Sequence, residues 1–206
     1  MRNTKLFVQL FFIILGVSLA SCGSGVTETP PSYTAATPIN QALLSDFTLA
    51  NNYDYWEIQA GPLSGSVGTT STVYSFDQIT HKTLSLAQIN LLSLASSPVG
   101  FSIACRPSAC PIYGVAIAGT ASTLITSKPE LLTFFNAIDT PAELNVWLWA
   151  HNYGLSSYTK TSTGYNAIVN WNSLSGTRGQ DLIAVDPQGN INKISTISSE
   201  TGGPVV

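Results

Sequence analysis

The stretch of sequence that decides the fold is 127–154, SKPELLTFFNAIDTPAELNVWLWAHNYG. It contains two capping-box patterns, Ser127-Lys-Pro-Glu130 and Thr140-Pro-Ala-Glu143, each with proline in the first turn, where no backbone N–H is needed. These patterns predict two consecutive helices, and Gly154 is the expected stop of the second. Because the second helix is apolar on most of its sides, we expect it to lie between two layers of structure.

Strand-like patterns flank the two helices. Before them, strands are expected over 51–62, 72–79, 114–119 and 123–126, whereas 84–95 is ambiguous, with Ser85 and Gln88 spaced as in a capping box. After them, strands are expected over 158–171 and 181–197, the second one bent at Asp186-Pro-Gln-Gly-Asn190. Strands, helices and strands again, without a repeating βα unit, favour an α+β fold. The sequence therefore predicts a single α+β domain over 39–206, mainly antiparallel sheet, with two helices at about 127–154 packed on it.

Four short motifs in the same region carry a resemblance. They are DTPAE at 139–143, NYG at 152–154, SYTKTSTGY at 157–165 and DPQGN at 186–190. Together they loosely resemble exported bacterial domains of unknown function. The motifs are mostly helix caps and turns, so the resemblance implies a shared fold and brings no activity with it.

The N-terminus has the pattern of an export signal. Arg2 and Lys5 form a positive region, and an apolar stretch follows over 6–19, which is too short for a membrane span. Leu19-Ala20-Ser21 then leads into Cys22. This order resembles the lipobox of bacterial lipoproteins. The resemblance implies that 1–21 is a signal peptide, that Cys22 carries acyl chains such as palmitate, and that the membrane is a partner through this anchor.

The resemblance also bears on location. Residue 23 is glycine rather than the aspartate that retains lipoproteins at the inner membrane in enterobacteria, so outer-membrane attachment is expected, on the periplasmic or the surface face. Gly, Ser and Pro follow up to Pro38, a composition typical of a tether. We therefore expect 22–38 to be a lipidated cysteine with a flexible tether.

Composition excludes some function classes. Only 9% of the 206 residues are charged, while 25 are serine and 22 are threonine. Eight scattered cations cannot form the positive surface that a nucleic-acid partner requires, so none is expected. Removal of 1–21 takes Arg2 and Lys5 with it, which moves the net charge from −3 to −5.

Three cysteines occur, and two remain once Cys22 is assigned to the anchor. Cys105 and Cys110 form an even pair in an exported chain, which predicts a disulfide bond. A zinc site would need two more ligands, and His81 and His151 are distant in sequence. Neither a metal nor a cofactor is predicted.

Catalytic candidates are few. His151 lies beside Trp147 and Trp149, where its pKa would be shifted, but a helix-end role is the simpler explanation. The acidic side chains with no evident local role are Asp54, Glu57 and Asp77, which would have to meet across a hairpin to act as a pair. Serine occurs beside glycine at 64–66 and 174–176, without the G-x-S-x-G pattern of a hydrolase. A non-enzymatic protein is therefore expected.

Five aromatic residues on expected strands are suggestive of binding, and the first three are the candidate binding residues: Tyr53, Tyr55, Trp56, Tyr74 and Trp171. The sequence predicts a lipid-anchored, exported protein with a binding or envelope-assembly role and an envelope protein or glycan as partner. One alternative is an exported hydrolase of envelope polymers or peptides. Another is an inhibitor of an exported protease, which would present Arg106 on the Cys105–Cys110 loop.

Overall fold

The computed structural model describes residues 31–61, 70–76, 84–104, 110–173 and 176–201. From Pro31 onward the chain forms one compact unit. Its described strands and helices follow in the order β1 (Thr34–Ala35), β2 (Tyr55–Ala60), β3 (Ser71–Ser75), α1 (Leu86–Leu94), β4 (Ser102–Ala104), β5 (Cys110–Ala118), β6 (Ala121–Ile125), α2 (Lys128–Phe135), α3 (Pro141–Ala150), β7 (Gly154–Thr161), β8 (Gly164–Asn172), β9 (Thr177–Val185) and β10 (Ile191–Thr201). The fold is α+β, as the sequence predicts.

The predicted helix starts are confirmed. Ser127 accepts a hydrogen bond from the N–H of Glu130, and Thr140 accepts one from Glu143, each within a complete capping box. Ser85 and Gln88 form a third box, which makes the ambiguous stretch a helix. The predicted stop at Gly154 is wrong, because α3 ends at Ala150 and Asn152 takes the left-handed conformation, at φ 65°. Asparagine tolerates that conformation because its short polar side chain can hydrogen-bond locally.

The first sheet has the strand order β1-β7-β8-β9-β10, with every pair antiparallel, so that the consecutive strands β7 to β10 form a meander and β1 adds to its β7 edge. The single strand expected over 158–171 is wrong, because the chain turns at 162–163 and returns as β8. Gly164 follows that turn with φ +136°. The predicted bend at Asp186–Asn190 is confirmed as the turn between β9 and β10.

The second sheet has the order β3-β2-β5, and both β4 and β6 pair with the remaining edge of β5. It is also antiparallel. The helical layer lies between the two sheets, with α3 against β7 and α2 against β6. This arrangement confirms the expectation that α3 lies between layers, although the sequence predicted one sheet rather than two.

The main core forms where the helices meet both sheets. Phe134 and Phe135 of α2 contact Trp56 of β2, with ring centroids 5.1 and 5.9 Å apart. On the other side, Tyr165 and Ile183 of the first sheet join the same cluster. The opposite face of β2 and β5 is covered by α1 in a smaller cluster. Burial on both sides explains why α3 is apolar around most of its circumference.

The predicted tether extends too far. Residues 34–38 are not free, because Thr34 and Ala35 pair with Tyr158 and Ser157 of β7. The N–H of Ala36 then donates to the carbonyl of Ser156 at 3.0 Å. A threonine- and alanine-rich segment resembles a linker in composition, and only the β7 edge makes it a strand. Residues 22–30, including Cys22, lie outside the described residues.

Candidate functional site

The candidate site is a groove where residues 31–38, which we call the strap, cross the edge of β7 and the side of α3. The ladder of β1 and β7 holds the middle of the strap. Beyond it, the side-chain Nδ2 of Asn145 donates a hydrogen bond to the carbonyl of Thr37 at 2.7 Å. The chain then makes a 3₁₀ turn at Ile39–Gln41, which contacts α3 and β3.

Two cavities adjoin the strap, and together we call them the strap groove. The first has a volume of about 350 Å³ and extends to the start of α3 at Thr140, Pro141 and Ala142. The second has a volume of about 650 Å³ and extends to Tyr74 of β3 and Trp149 of α3. Both are lined by Ala36, Thr37, Ile39, Asn145 and Leu155. Volumes of this size are typical of small-ligand sites.

Partly exposed aromatic rings line the larger cavity. Trp149 is the aromatic residue of α3 that remains half-buried, and its ring meets that of Tyr74 edge to face at 5.4 Å. Tyr153, just after the helix, lines the same cavity. Such rings offer apolar contact area together with hydroxyl or indole N–H groups, and they lose little conformational entropy on binding.

The groove is almost uncharged. Among the described residues that line its two cavities, Asp46 is the only charged one. Its Oδ2 accepts a hydrogen bond from the N–H of Leu43 at 2.8 Å. The other polar groups are hydroxyls and amides, including those of Thr37, Asn40, Asn145 and Tyr158. This chemistry suits a neutral ligand with hydrogen-bonding groups.

Glu143 fixes the adjoining end of α3. Its carboxylate is fully buried and accepts hydrogen bonds from three backbone N–H groups, those of Thr48 at 2.5 Å and of Asp139 and Thr140 at 2.9 Å each. Burial, together with a hydrogen bond shared with the Asp139 side chain, raises the pKa of Glu143 to about 7, although the three N–H groups act in the opposite direction. Glu143 therefore joins residue 48 to the start of α3.

His151 lies away from the groove. It forms the C-cap of α3, and its ring packs on Trp147 with centroids 4.7 Å apart. Burial, assisted by the nearby charge of Lys128, lowers the pKa of His151 to about 4. Its Nε2 atom is buried without a hydrogen-bond partner among the described residues. The imidazole is therefore neutral at physiological pH.

The acidic candidates belong to separate networks. Asp54 is exposed, and its Oδ2 accepts hydrogen bonds from the N–H of Gly119 at 2.7 Å and from Gln88 Nε2 at 3.4 Å. Glu57 is buried in β2, where its carboxylate accepts hydrogen bonds from the Tyr55 hydroxyl and from Gln59 Nε2. The structure does not bring these two carboxylates and His151 together. Asp77 lies outside the described residues.

The expected aromatic binding residues are only partly accessible. Tyr55 and Trp56 are 0% exposed, so the expectation that they contact a partner is wrong. Alternation along β2 places Tyr55 under α1 and Trp56 in the main core, because both faces of this sheet are covered. Tyr53 is half-buried, and its ring packs against Phe134 at 5.0 Å.

The cysteine loop falls largely outside the described residues. Cys110 is buried at the start of β5. Cys105 and Arg106 are not among the residues that the structure describes, so the pairing of Cys105 and the role of Arg106 in a loop stay predictions.

Over the described ranges, no three His, Cys, Asp or Glu side chains are close enough to hold a metal ion. The carboxylate of Asp186 stabilises the turn between β9 and β10, because both of its oxygens accept hydrogen bonds from Asn190.

Asn145, Trp149 and Tyr153 were not predicted as site residues. Asn145 carried a usable signal, because it is an amide in the middle of an otherwise apolar helical segment, LNVWLWA at 144–150. A polar side chain in that position needs a buried partner. Its partner is a backbone carbonyl of the strap, which no sequence pattern identifies.

No protein-family model, no curated protein and no solved structure matches this chain. Of the helices in the described part of the chain, none is long and apolar enough to cross a membrane. The geometry of the groove and the N-terminal motif are therefore the features of this chain that indicate a function.

Proposed function

We propose that this chain is an exported bacterial protein, anchored to a membrane through lipid on Cys22, that binds a neutral ligand in the strap groove. The observation that carries the binding role is the pair of adjoining cavities, of about 350 and 650 Å³, which meet at Asn145 and the strap. A groove with aromatic rings, hydroxyls and amides and a single carboxylate favours a peptide segment or a glycan of the cell envelope.

The N-terminal motif supports the anchor. The order of charge, apolar core, small residues and Cys22 is that of a lipobox. More than one acyl chain is required for stable membrane attachment, and lipoprotein modification supplies at least two. Gly23 favours the outer membrane. The anchor explains why a binding domain of this kind would act close to a membrane surface.

A non-enzymatic role is supported by the separation of the candidate catalytic groups. General acid–base or nucleophilic chemistry needs two or three groups within hydrogen-bonding reach of one another. His151 lies at the C-cap of α3, Glu57 lies beneath α1, and Asp54 lies at the hairpin that contains Gly119. None of these three lines the strap groove.

A cavity-filling variant tests the groove. Ala142 is the second residue of α3, is half-buried and lines the smaller cavity, whereas Ala87 is the second residue of α1 and is exposed. Ala142→Leu reduces the free volume, so it should weaken binding at least tenfold, while Ala87→Leu should leave binding unchanged. Calorimetric titration with a neutral N-acetylated oligosaccharide and with a neutral alanine- and threonine-rich peptide measures both. Equal affinities in the two variants, or no saturable binding of either probe, would contradict the proposal.

A further inference from the structure

The edge of β7 is incompletely paired. β7 is eight residues long and pairs with β8 from Gly154 to Thr161, but β1 covers it only at Ser157 and Tyr158. In the described part of the chain no other strand lies on this edge. Unpaired N–H and C=O groups along a sheet edge are a template for an added strand.

The strap is weakly held. None of its eight side chains is buried, since Tyr33 and Ala36 are half-buried and the others are exposed. Among the described residues, its hydrogen bonds to β7 and α3 are the two-residue ladder with β7, the bond from the Ala36 N–H to Ser156 and the bond from Asn145 to Thr37. Segments with few buried contacts open locally at a small cost in free energy. The strap is therefore the part of the groove wall that can be displaced.

We propose that the β7 edge is an acceptor site for an extended peptide segment of a partner protein, and that the strap is its built-in competitor. This inference rests on the proposed binding role of the groove and narrows its ligand to a peptide strand. The strap itself shows the chemistry that the site accepts, an uncharged, small-residue strand of sequence Thr34-Ala35-Ala36-Thr37 paired antiparallel to β7.

Backbone groups define how such a strand is recognised. At the position of Ala36 its N–H donates to the carbonyl of Ser156, and at the next position its carbonyl accepts the hydrogen bond from Asn145. Asn145 is only 8% exposed, so its amide is held in place for this contact. Both hydrogen bonds involve backbone groups of the bound strand, so they require no particular side chain.

Side-chain selectivity arises at the position of Ala36. This residue lines both cavities, and its methyl group leaves their volumes of about 350 and 650 Å³ open. A partner strand with a larger apolar side chain there would fill that space and bury more apolar area than the strap does. The preferred ligand is therefore a neutral extended peptide with leucine or a similar residue at this position.

Two proline variants of the full chain test the competition. Ala36→Pro removes the N–H that bonds Ser156, which weakens the strap. Ala35→Pro is the matched control, because residues alternate along an antiparallel ladder and the Ala35 N–H faces away from β7. The probe is a fluorescent peptide of the strap sequence 31–38 with leucine at position 36, titrated by anisotropy. Ala36→Pro should bind it at least fivefold more tightly than the parent chain, and Ala35→Pro should bind it like the parent.

A strap that is joined to β7 by an engineered disulfide bond should give the opposite result, a loss of peptide binding. Ala35 and Ser157 are directly opposite each other in a non-hydrogen-bonded pair, the geometry in which a cross-strand disulfide forms. Oxidised Ala35→Cys/Ser157→Cys should lose peptide binding, while Ala35→Cys alone should retain it. Binding that is the same in the locked and unlocked chains, or in Ala36→Pro and Ala35→Pro, would overturn the inference. If the oligosaccharide still binds and still responds to Ala142→Leu, the groove proposal survives that result.

Discussion

The side-chain amide of Asn145 donates a hydrogen bond of 2.7 Å to the carbonyl of Thr37, which joins the middle of α3 to a residue 108 positions earlier in the chain. The strap has no buried side chain of its own, so this contact and the short β1–β7 ladder hold it to the fold. An amide in the interior of a helix is therefore one of the few groups that hold the wall of the groove in place.

Asn145→Leu should loosen the strap without unfolding the domain. The variant loses one buried hydrogen bond, a change of about 1 kcal/mol, which corresponds to roughly fivefold faster exchange of the β7 backbone amides around Ser157. Hydrogen exchange with mass spectrometry measures this change. Asn40 lines the larger cavity but is exposed, so Asn40→Leu is the control and should leave β7 exchange unchanged. Equal exchange in both variants would show that Asn145 does not hold the strap.

Glu143 and Glu130 should give opposite pH dependences of stability. They are the third residues of α2 and α3 and occupy the same position in two similar capping boxes, but Glu143 is buried and Glu130 is exposed. The pKa of Glu143 is raised to about 7, so between pH 4.5 and 7 the folded state holds a proton that the unfolded state has lost. Its contribution to the free energy of unfolding therefore decreases as pH rises through this window, by at most about 3 kcal/mol.

Hydrogen bonds from the backbone and side chain of Thr126 lower the pKa of Glu130, so its contribution is present above pH 4.5 and is lost as pH falls. Urea unfolding from pH 4 to 7.5 of the parent chain, Glu143→Gln and Glu130→Gln compares the two. The stability advantage of the parent chain over Glu143→Gln should shrink with rising pH, and its advantage over Glu130→Gln should grow. The same slope in both comparisons would contradict the assignment.

His151 should make the protein sensitive to acid. Because its pKa is lowered to about 4, the unfolded state takes up a proton below pH 6.5 that the folded state does not. Stability should therefore be lost as pH falls from 6.5 to 4, by up to about 3 kcal/mol from this group. His151→Phe should lose less stability over this window. Lys128→Gln should raise the pKa of His151 measured by NMR, and an unchanged value would exclude Lys128 as a cause.

Gly189 should tolerate no side chain. It has φ +77°, and a Cβ there would lie 2.7 Å from Cζ2 of Trp147, whose Nε1 donates to the Gly189 carbonyl at 3.0 Å. Gly189→Ala should destabilise the fold by about 3 kcal/mol or more, because backbone strain adds to overpacking. Gly119 also has positive φ, at +58°, but nothing lies within 4 Å of its Cβ position. Gly119→Ala should cost only about 1 kcal/mol in thermal unfolding, from strain alone.

Cys22 should determine membrane attachment. Cys22→Ala removes the acceptor of the acyl chains, so the protein should move from the membrane fraction to the soluble fraction of cells. Ser24→Ala, a change of similar size two residues later, should stay with the membrane. Labelling with radioactive palmitate measures the modification directly, and continued labelling of Cys22→Ala would refute the lipoprotein proposal.

Local rules were sufficient for the helix starts and one turn. Ser127–Glu130 and Thr140–Glu143 begin helices because side chain and backbone satisfy each other within four residues. The turn at Asp186–Asn190 closes for a similar reason, since Asn190 donates two hydrogen bonds to Asp186. The α+β class followed from the order of these elements along the chain.

Local sequence patterns did not predict which aromatic residues are buried. Tyr55 and Trp56 alternate as they would on a strand with one exposed face, but helices cover both faces of β2. Alternation along β2 is the same whether one face of the strand is exposed or both faces are buried. Only the packing of α1 on one face and α2 on the other shows that neither residue lies on a binding surface. The turn after β7 was missed because Ser162 and Thr163 interrupt a strand-like pattern only weakly.

The sequence by itself determined the helix starts, the low charge and the α+β class, and it predicts the N-terminal export signal. Each of these depends on composition or on residues that are close together in the chain. The tertiary structure decided which segments meet. The strap became a strand only because β7 offered an unpaired edge, and Asn145 became a site residue only because α3 placed it beside Thr37. Contacts between distant segments depend on how the sheets and helices pack together. Patterns within a few neighbouring residues do not predict that packing.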